Sequence, residues 1–412
     1  MDDSMTTIGQ VAEIFDGPHA TPRKIESGPI FLSISSLENG RLKLSRSAHL
    51  SEADYARWTK RVTPKRGDLL FSYETRLGEA ALMPDGIKAC LGRRMGLLRP
   101  RKDKVIPEYL LYAYLSPAFQ QTIVANTTRG ATVDRIALNE MPNFGIRIPC
   151  IDEQKKVAGL LQALDAKIDC NNRINADLEA MVKTLFEYWF VQFDFPNANG
   201  KPYKSSGGKM IYDATLKREI PKGWVATSLA KVTAISNDSL NPADFSDQKF
   251  KHFSIPVFDA TKTYGLEFGH SIGSNKFTVL GSDLLVSKLN PWFNRVVYVM
   301  DEADQICSTE FVIWRSPSES LKNFLYLIAT SQQFISYCIQ SATGTSNSHK
   351  RVNPNVMMAF ALPYNVDIAE EFGEKVAPLL KRVIVNQREI GELSQLRDWL
   401  LPMLMNGQVT VP

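Results

Sequence analysis

The chain has 412 residues, enough for two or more domains, and its apolar fraction of 44% is ordinary for folded protein. The net charge of +4, with a pI near 8.6, is a mild basic excess, compatible with nucleic acid without requiring it. Five scattered cysteines without a C-x-x-C pair, an acidic, polar N-terminus and no long apolar window argue against a disulfide framework, a zinc ribbon, a signal peptide and a membrane span, so a cytoplasmic location is expected.

Residues 6–50 read as short strands and turns. Val11–Phe15 suits a helix or a strand, and the loop Asp16-Gly-Pro-His-Ala-Thr-Pro-Arg23 follows it. Ile30–Ile34 is an apolar strand, and Glu38-Asn39-Gly40 is a hairpin turn. Ser51 caps a short helix, and Leu69–Tyr73 is a buried strand after Lys65-Arg-Gly-Asp68. Pro107–Thr128 reads as one amphipathic helix, followed by the polar stretch 127–135 and a strand over Asn143–Pro149.

A long stretch without proline then runs from Ile151 to Phe193. Val157, Leu161, Leu164, Ile168, Leu178, Val182, Leu185 and Trp189 alternate steps of four and three, with Asn171 and Asn175 filling the middle beats. This is a heptad seam, and it predicts a rod of roughly 60 Å at 1.5 Å per residue. A linker rich in turn residues covers 194–219, and regular structure resumes at Ile220-Pro-Lys-Gly-Trp224.

The second half repeats the first in outline. Asp283 lies 215 residues after Asp68, while Gly344, Pro363 and Asn386 lie 214 after Gly130, Pro149 and Asn172. One register held over a whole half indicates internal duplication. The predicted fold class is α/β in the α+β sense. Two homologous globular units, 1–150 and 220–364, are separated by long helices at 151–193 and 365–412. The second helix has its own seam: Val376, Leu379, Val383, Asn386, Ile390, Leu393 and Leu400. The two seams predict an antiparallel coiled coil whose asparagines set register at a cost in stability, so Asn386→Leu is expected to raise stability.

Two similar units on one rod form a pseudo-twofold object, and duplex DNA is the natural twofold ligand. Half-sites one turn apart are ~34–36 Å apart, within the reach of the rod. The candidate DNA-binding residues are those able to reach phosphates and base edges. In the first copy they are His19, Thr21, Arg23, Tyr73, Arg76, Arg93, Arg94, Arg129, Thr132 and Arg135. In the second they are Lys276, Lys288, Asn290, Arg295, Thr343, Thr345, Asn347, His349, Lys350 and Arg351. No nucleotide loop, H-E-x-x-H or G-x-S-x-G is present, and no metal ligand set is expected. Asn290-Pro291-Trp292-Phe293 resembles the motif with which amino-group DNA methyltransferases hold a flipped adenine, but the Gly-rich methyl-donor loop of those enzymes is missing. A self-sufficient adenine methyltransferase is therefore the alternative reading. An Asp283–Lys288 nuclease pair has only generic spacing.

Several fragments, taken in order, resemble the specificity subunit of type I restriction–modification systems. Glu153-Gln154 through Leu161, Leu164-Asp165-Ala-Lys167-Ile168 and Leu185-Phe186-Glu-Tyr-Trp189-Phe190 are similar to that family's central region. Leu396-Arg397-Asp398-Trp-Leu-Leu-Pro402 with Asn406-Gly407 is similar to its C-terminal region. The resemblance implies two target-recognition domains reading a bipartite, asymmetric site in double-stranded DNA. It implies no catalysis and no cofactor in this chain. Two modification (methyltransferase) subunits would bring S-adenosylmethionine, and restriction (translocase–nuclease) subunits would bring ATP and Mg. Those partners would dock on helix residues such as Leu185, Phe186, Trp189, Phe190, Leu396, Trp399 and Leu400.

Overall fold

Leu69-Leu-Phe-Ser72 is a strand with all four residues buried, and the first half of the protein is layered around it. In the computed structural model, which describes residues 4–130, 133–344 and 349–411, it is central in an antiparallel sheet. The order is Ala12–Asp16, Met95–Pro100, Leu69–Ser72, Ala80–Leu82. Side chains alternate across a strand. Leu69 and Phe71 therefore face a helical layer with Tyr109, Leu110 and Phe119, while Leu70 faces a second core with Leu32, Leu91 and Leu97. Burial on both faces explains why this strand is an unbroken apolar run. Val11–Phe15 divides into a helical turn ending at Val11 and a strand starting at Ala12. Asn39 and Gly40 both take positive φ, 50° and 78°, as a two-residue type I′ hairpin requires.

The chain divides into two units, residues 1–167 with 393–412, and residues 168–392. The second unit contains the same sheet: Ala234–Ser236, Phe311–Arg315, Asp283–Ser287, Val296–Tyr298. Again Leu284 and Val286 face the helical layer, and Leu285 faces the other core. In each unit a buried aspartate opens the central strand. Asp68 accepts two bonds from Arg99 (3.0 and 2.7 Å) and one from the Lys65 amide (2.8 Å). Asp283 accepts two from Arg315 (2.9 and 3.0 Å) and one from the Leu280 amide (2.8 Å). The duplication is thus repeated atom for atom at a structural ion pair. Asp283, fully buried and bound in this way, is not available to a nuclease site.

The single helix expected over Pro107–Thr128 is in fact two, and the second unit has the same break. Pro107–Leu115 is followed by Pro117–Ala125, and Glu319–Thr330 by Gln332–Ser341. Ser116 and Ser331 take extended ψ of 146°, and their hydroxyls cap the next helix at the amides of Phe119 and Phe334. A serine that can cap ends one helix and begins another without an apolar break, so hydropathy alone does not show the corner.

The central helix spans Ile151–Phe186 and widens into a π turn at Glu187–Val191. The C-terminal helix spans Val366–Met405. Within each unit they pack antiparallel. In the first unit Val157, Ala158 and Leu161 share a core with Leu404 and Met405, and Arg397 donates to Asp165 (2.9 Å). In the second, Val182 and Phe186 meet Phe372, Val376 and Leu380. There Asn171 donates to Glu389 and Asn386 donates to Asn175, each at 2.8 Å. The fully buried Gln154 fastens the central helix to the first unit, bonding Lys104 and Pro149 carbonyls and the Ile106 amide.

Phe186, Trp189 and Phe190 are not exposed docking residues. They are 3–6% accessible and stack with Phe324 and Phe372, the closest centroids 4.8 Å apart. The π turn brings positions 186, 189 and 190 inward together, and Leu185 packs on the rim of that core. Part of the 194–219 stretch is also built in: Phe195 stacks between Tyr203 and Trp224, and Met210–Asp213 pairs with Arg218–Pro221.

The Asn175–Asn386 pair changes the expected effect of Asn386→Leu. The single substitution strands a buried amide on Asn175 and is expected to cost about 1–3 kcal/mol. Asn175→Leu with Asn386→Leu together is expected to recover that loss or exceed it, measured by urea unfolding. Arg315→Ala, which leaves the Asp283 carboxylate buried and unpaired, is expected to cost about 3–5 kcal/mol. Its loss should appear in the second unit's urea transition, followed by fluorescence.

Candidate nucleic-acid interface

Both units carry the same junction at the C-terminal end of the central strand. In the first, the Tyr73 amide donates to the Arg94 carbonyl (3.2 Å), and the Tyr73 carbonyl accepts from Ile136 (2.8 Å). In the second, the Lys288 amide donates to Glu310 (3.0 Å), and its carbonyl accepts from Val352 (2.9 Å). Three segments distant in sequence are clasped at one residue: the strand end, the turn before the next strand, and a polar hairpin. In the first unit a fourth joins them, because the Gly17 amide donates to Met95 (2.8 Å). A Cβ on Gly17 would sit 2.4 Å from the Gly92 carbonyl oxygen, so only glycine lets the 16–23 loop approach so closely.

The structure therefore gathers most of the first copy's candidates on one edge. His19, Thr21, Arg23, Arg93, Arg129 and Arg135 are exposed there, on or beside the clasped segments. Arg23, Arg93, Arg129 and Arg135 have no carboxylate partner among the described residues. Others are engaged. Arg94 pairs with Glu74 (2.7 Å), and Arg76 pairs with Glu79 (2.9 Å) and bonds the Ile34 carbonyl. Tyr73 is buried, and burial, with Asp16 nearby, holds its hydroxyl pKa above the ordinary value. Thr132 lies outside the described residues.

In the second copy the hairpin strands meet at Thr343 and Arg351, both exposed, with exposed His349 and half-buried Lys350 and Lys288 beside them. Arg351 pairs with Glu310 (3.0 Å), a charge-assisted bond that raises the guanidinium pKa further. Thr345 and Asn347 lie outside the described residues. Three expected contacts are internal instead. Lys276 is buried and donates to Ser274, and burial lowers its pKa. Arg295 is buried against both oxygens of Asp259 (2.6 and 2.7 Å). Asn290 is 9% accessible, and its Oδ1 accepts from the Lys350 amide (3.0 Å). Each looks like a free polar residue in sequence, because its partner lies 2 to 60 residues away.

Each junction also has an acidic member that is not among the sequence candidates. Glu74 and Glu310 decide which arginine of each junction is neutralised. Equivalent backbone positions carry Arg94 in one copy and Glu310 in the other, so the two edges differ in charge on one scaffold. On the helices, Trp399 (62%) and Leu396 (43%) are exposed, whereas Leu400 packs on the first unit's core.

The chain is similar to several known proteins. Residues 4–180 match the family model described as the type I restriction modification DNA specificity domain. The specificity subunit of the type I restriction enzyme MjaIX of Methanocaldococcus jannaschii is 24% identical over 378 residues, 85% of this chain and 79% of that protein. The HindI specificity subunit of Haemophilus influenzae is 21% identical, over 84% of this chain and 87% of that protein. The crystal structure of a type I restriction–modification S subunit from M. genitalium shares the fold, with a TM-score of 0.61 at 12% identity, covering 98% of this chain and 97% of that one. Along most of its length the chain is similar to specificity subunits of type I restriction–modification systems.

Proposed function

We propose that the protein reads a bipartite, asymmetric site in double-stranded DNA. Residues 1–150 and 220–364 act as the two target-recognition domains, each reading one half-site. The observation that carries this is the repeated junction: one backbone clasp, used twice in one chain, presenting different side chains. A shared scaffold accounts for binding the same duplex twice, and different side chains account for two unlike half-sites. Arg135 in one copy and Lys288 and Lys350 in the other supply cations for phosphates or guanine edges, while Glu310 holds Arg351 in check.

The central and C-terminal helices run without a break from one unit into the other and set the gap between half-sites. Trp399 and Leu396, exposed on the C-terminal helix, are the docking residues for the modification subunits, two per complex, and restriction subunits complete the assembly in the cytoplasm. The chain itself recognises and does not catalyse. S-adenosylmethionine, ATP and Mg belong to its partners. The methyltransferase alternative is left without support, because Asn290 spends its side-chain oxygen on Lys350 instead of a flipped base. No helix among the described residues is long and apolar enough to cross a membrane.

Two measurements test this. Arg135→Ala is expected to weaken binding and lower the salt slope by about one, as for a lost phosphate contact. Glu310→Gln, which frees Arg351, is expected to tighten non-specific binding and steepen the slope. Anisotropy titrations over a salt series check both, and unchanged slopes would refute the assignment. Inserting one heptad after Asn171 with a matched heptad before Glu389 adds ~10 Å of rod, about three base pairs. Mapped methylated adenines should show a longer gap between unchanged half-sites; altered half-sites would sink the spacer role.

A further inference from the structure

The turn Asn290–Asn294 was singled out by its sequence and plays no part in the recognition reading above. It is held firmly. Asn290 and Asn294 take positive φ, 49° and 46°, which asparagine tolerates better than most residues. The Asn290 amide donates to the Lys350 carbonyl (2.7 Å), and its Oδ1 accepts in return. Pro291 is buried, and Arg295, clamped by Asp259, lies 4.4 Å from the centre of the Phe293 ring. What this frame presents to solvent is a pair of aromatic rings. Trp292 is 39% and Phe293 57% exposed, with centroids 6.0 Å apart.

Apart from the contact of Arg295 with Phe293, holding two large apolar rings in water adds little to folding, and their use lies in a partner. The first copy has Leu77 and Gly78 at these positions, 215 residues earlier, and Leu77 packs on its own core. The feature is therefore particular to the second edge. Lys288 and Lys350, next to the turn, have no carboxylate partner among the described residues, which favours a polyanion over an acidic or apolar protein surface.

The geometry points to an apolar wedge: Trp292 and Phe293 enter the base stack of the half-site read by the second unit, and a base unstacked there lies on the indole face. This rests on the reading that this edge binds duplex DNA. Apolar side chains that part a base step kink the duplex and gain contact surface in return. Stacking on an aromatic ring needs no particular base, because every base has a π face. The wedge would therefore act by deforming the half-site, making easily unstacked steps favourable at positions without a hydrogen-bonded contact.

The test uses the full chain with its modification subunit and a duplex carrying the mapped target. 2-Aminopurine is placed at successive positions across the second half-site. Wild type is expected to raise its emission at one position. Trp292→Ala with Phe293→Ala is expected to abolish that rise and weaken specific binding by about tenfold or more. Trp292→Phe with Phe293→Leu, which keeps an apolar wedge, should retain most of both. Because the rings are exposed, the thermal midpoint should be the same in all three. If wild type binds tightly and the alanine variant matches it in emission and affinity, the wedge is refuted and DNA reading stands. If wild type fails to retard the duplex, DNA reading fails and the wedge with it. If emission never rises, and the alanine variant instead loses its modification subunit, the rings are a protein contact and the wedge is refuted.

Discussion

Leu404 and Met405, in the last turn of the C-terminal helix, are buried in the core of the first unit beside Leu161. The first unit therefore cannot close its apolar core until the far end of the chain has returned to it. Everything else follows from this closure. It makes the helices antiparallel, places Arg397 on Asp165, and commits the chain to complete its second unit between two parts of its first. Contacts so distant in sequence carry a large loop-closure cost, which only a well-packed seam offsets. Polar groups in that seam have partners of their own: Asn171 with Glu389, Asn175 with Asn386. A slipped register would strand these groups in an apolar interface, so they select one alignment at some expense of stability.

Interior and edge have diverged to different degrees between the two copies. Inside, the Asp–Arg pair at the head of the central strand, the capping serine between two helices and the clasp at the strand end recur almost without change. At the edge equivalent clasp positions carry Arg94 or Glu310, and the turns after the central strands carry Leu77 or Trp292. A buried charge tolerates no loss of its partner, whereas an exposed side chain can change at little cost to stability. The fold thus preserves a frame and leaves the exposed edge free to vary.

The legible part of the sequence was whatever repeats or alternates. Heptad spacing located both long helices, with Val157, Leu161, Val182 and Val376 buried as their positions require. The unbroken run Leu69–Ser72 was a doubly buried strand, and Asn39-Gly40 was a tight hairpin. The corner at Ser331 was not legible, because a capping serine leaves the apolar pattern intact, whereas Pro117 at the first helical position marks the corner at Ser116. The aromatic run at 185–190 was misplaced for a related reason. Its spacing shows that it is apolar on several sides, and only the π turn and Phe372 show that all those sides are covered.

The candidate site divides along the same line. Residue type and loop position were enough to bring Arg129, Arg135 and Arg351 into view. Whether a cation is free depends on a carboxylate brought near it by the fold, and Glu310, Asp259 and Glu74 come from other segments, Asp259 from the short helix Ile255–Thr261. The sequence by itself determined the duplication and the two long helices, because periodicity and residue chemistry are local properties of a chain. Only the tertiary structure decided which charges face outward and why Trp292 and Phe293 stand exposed, because pairing and burial depend on residues that the sequence keeps far apart.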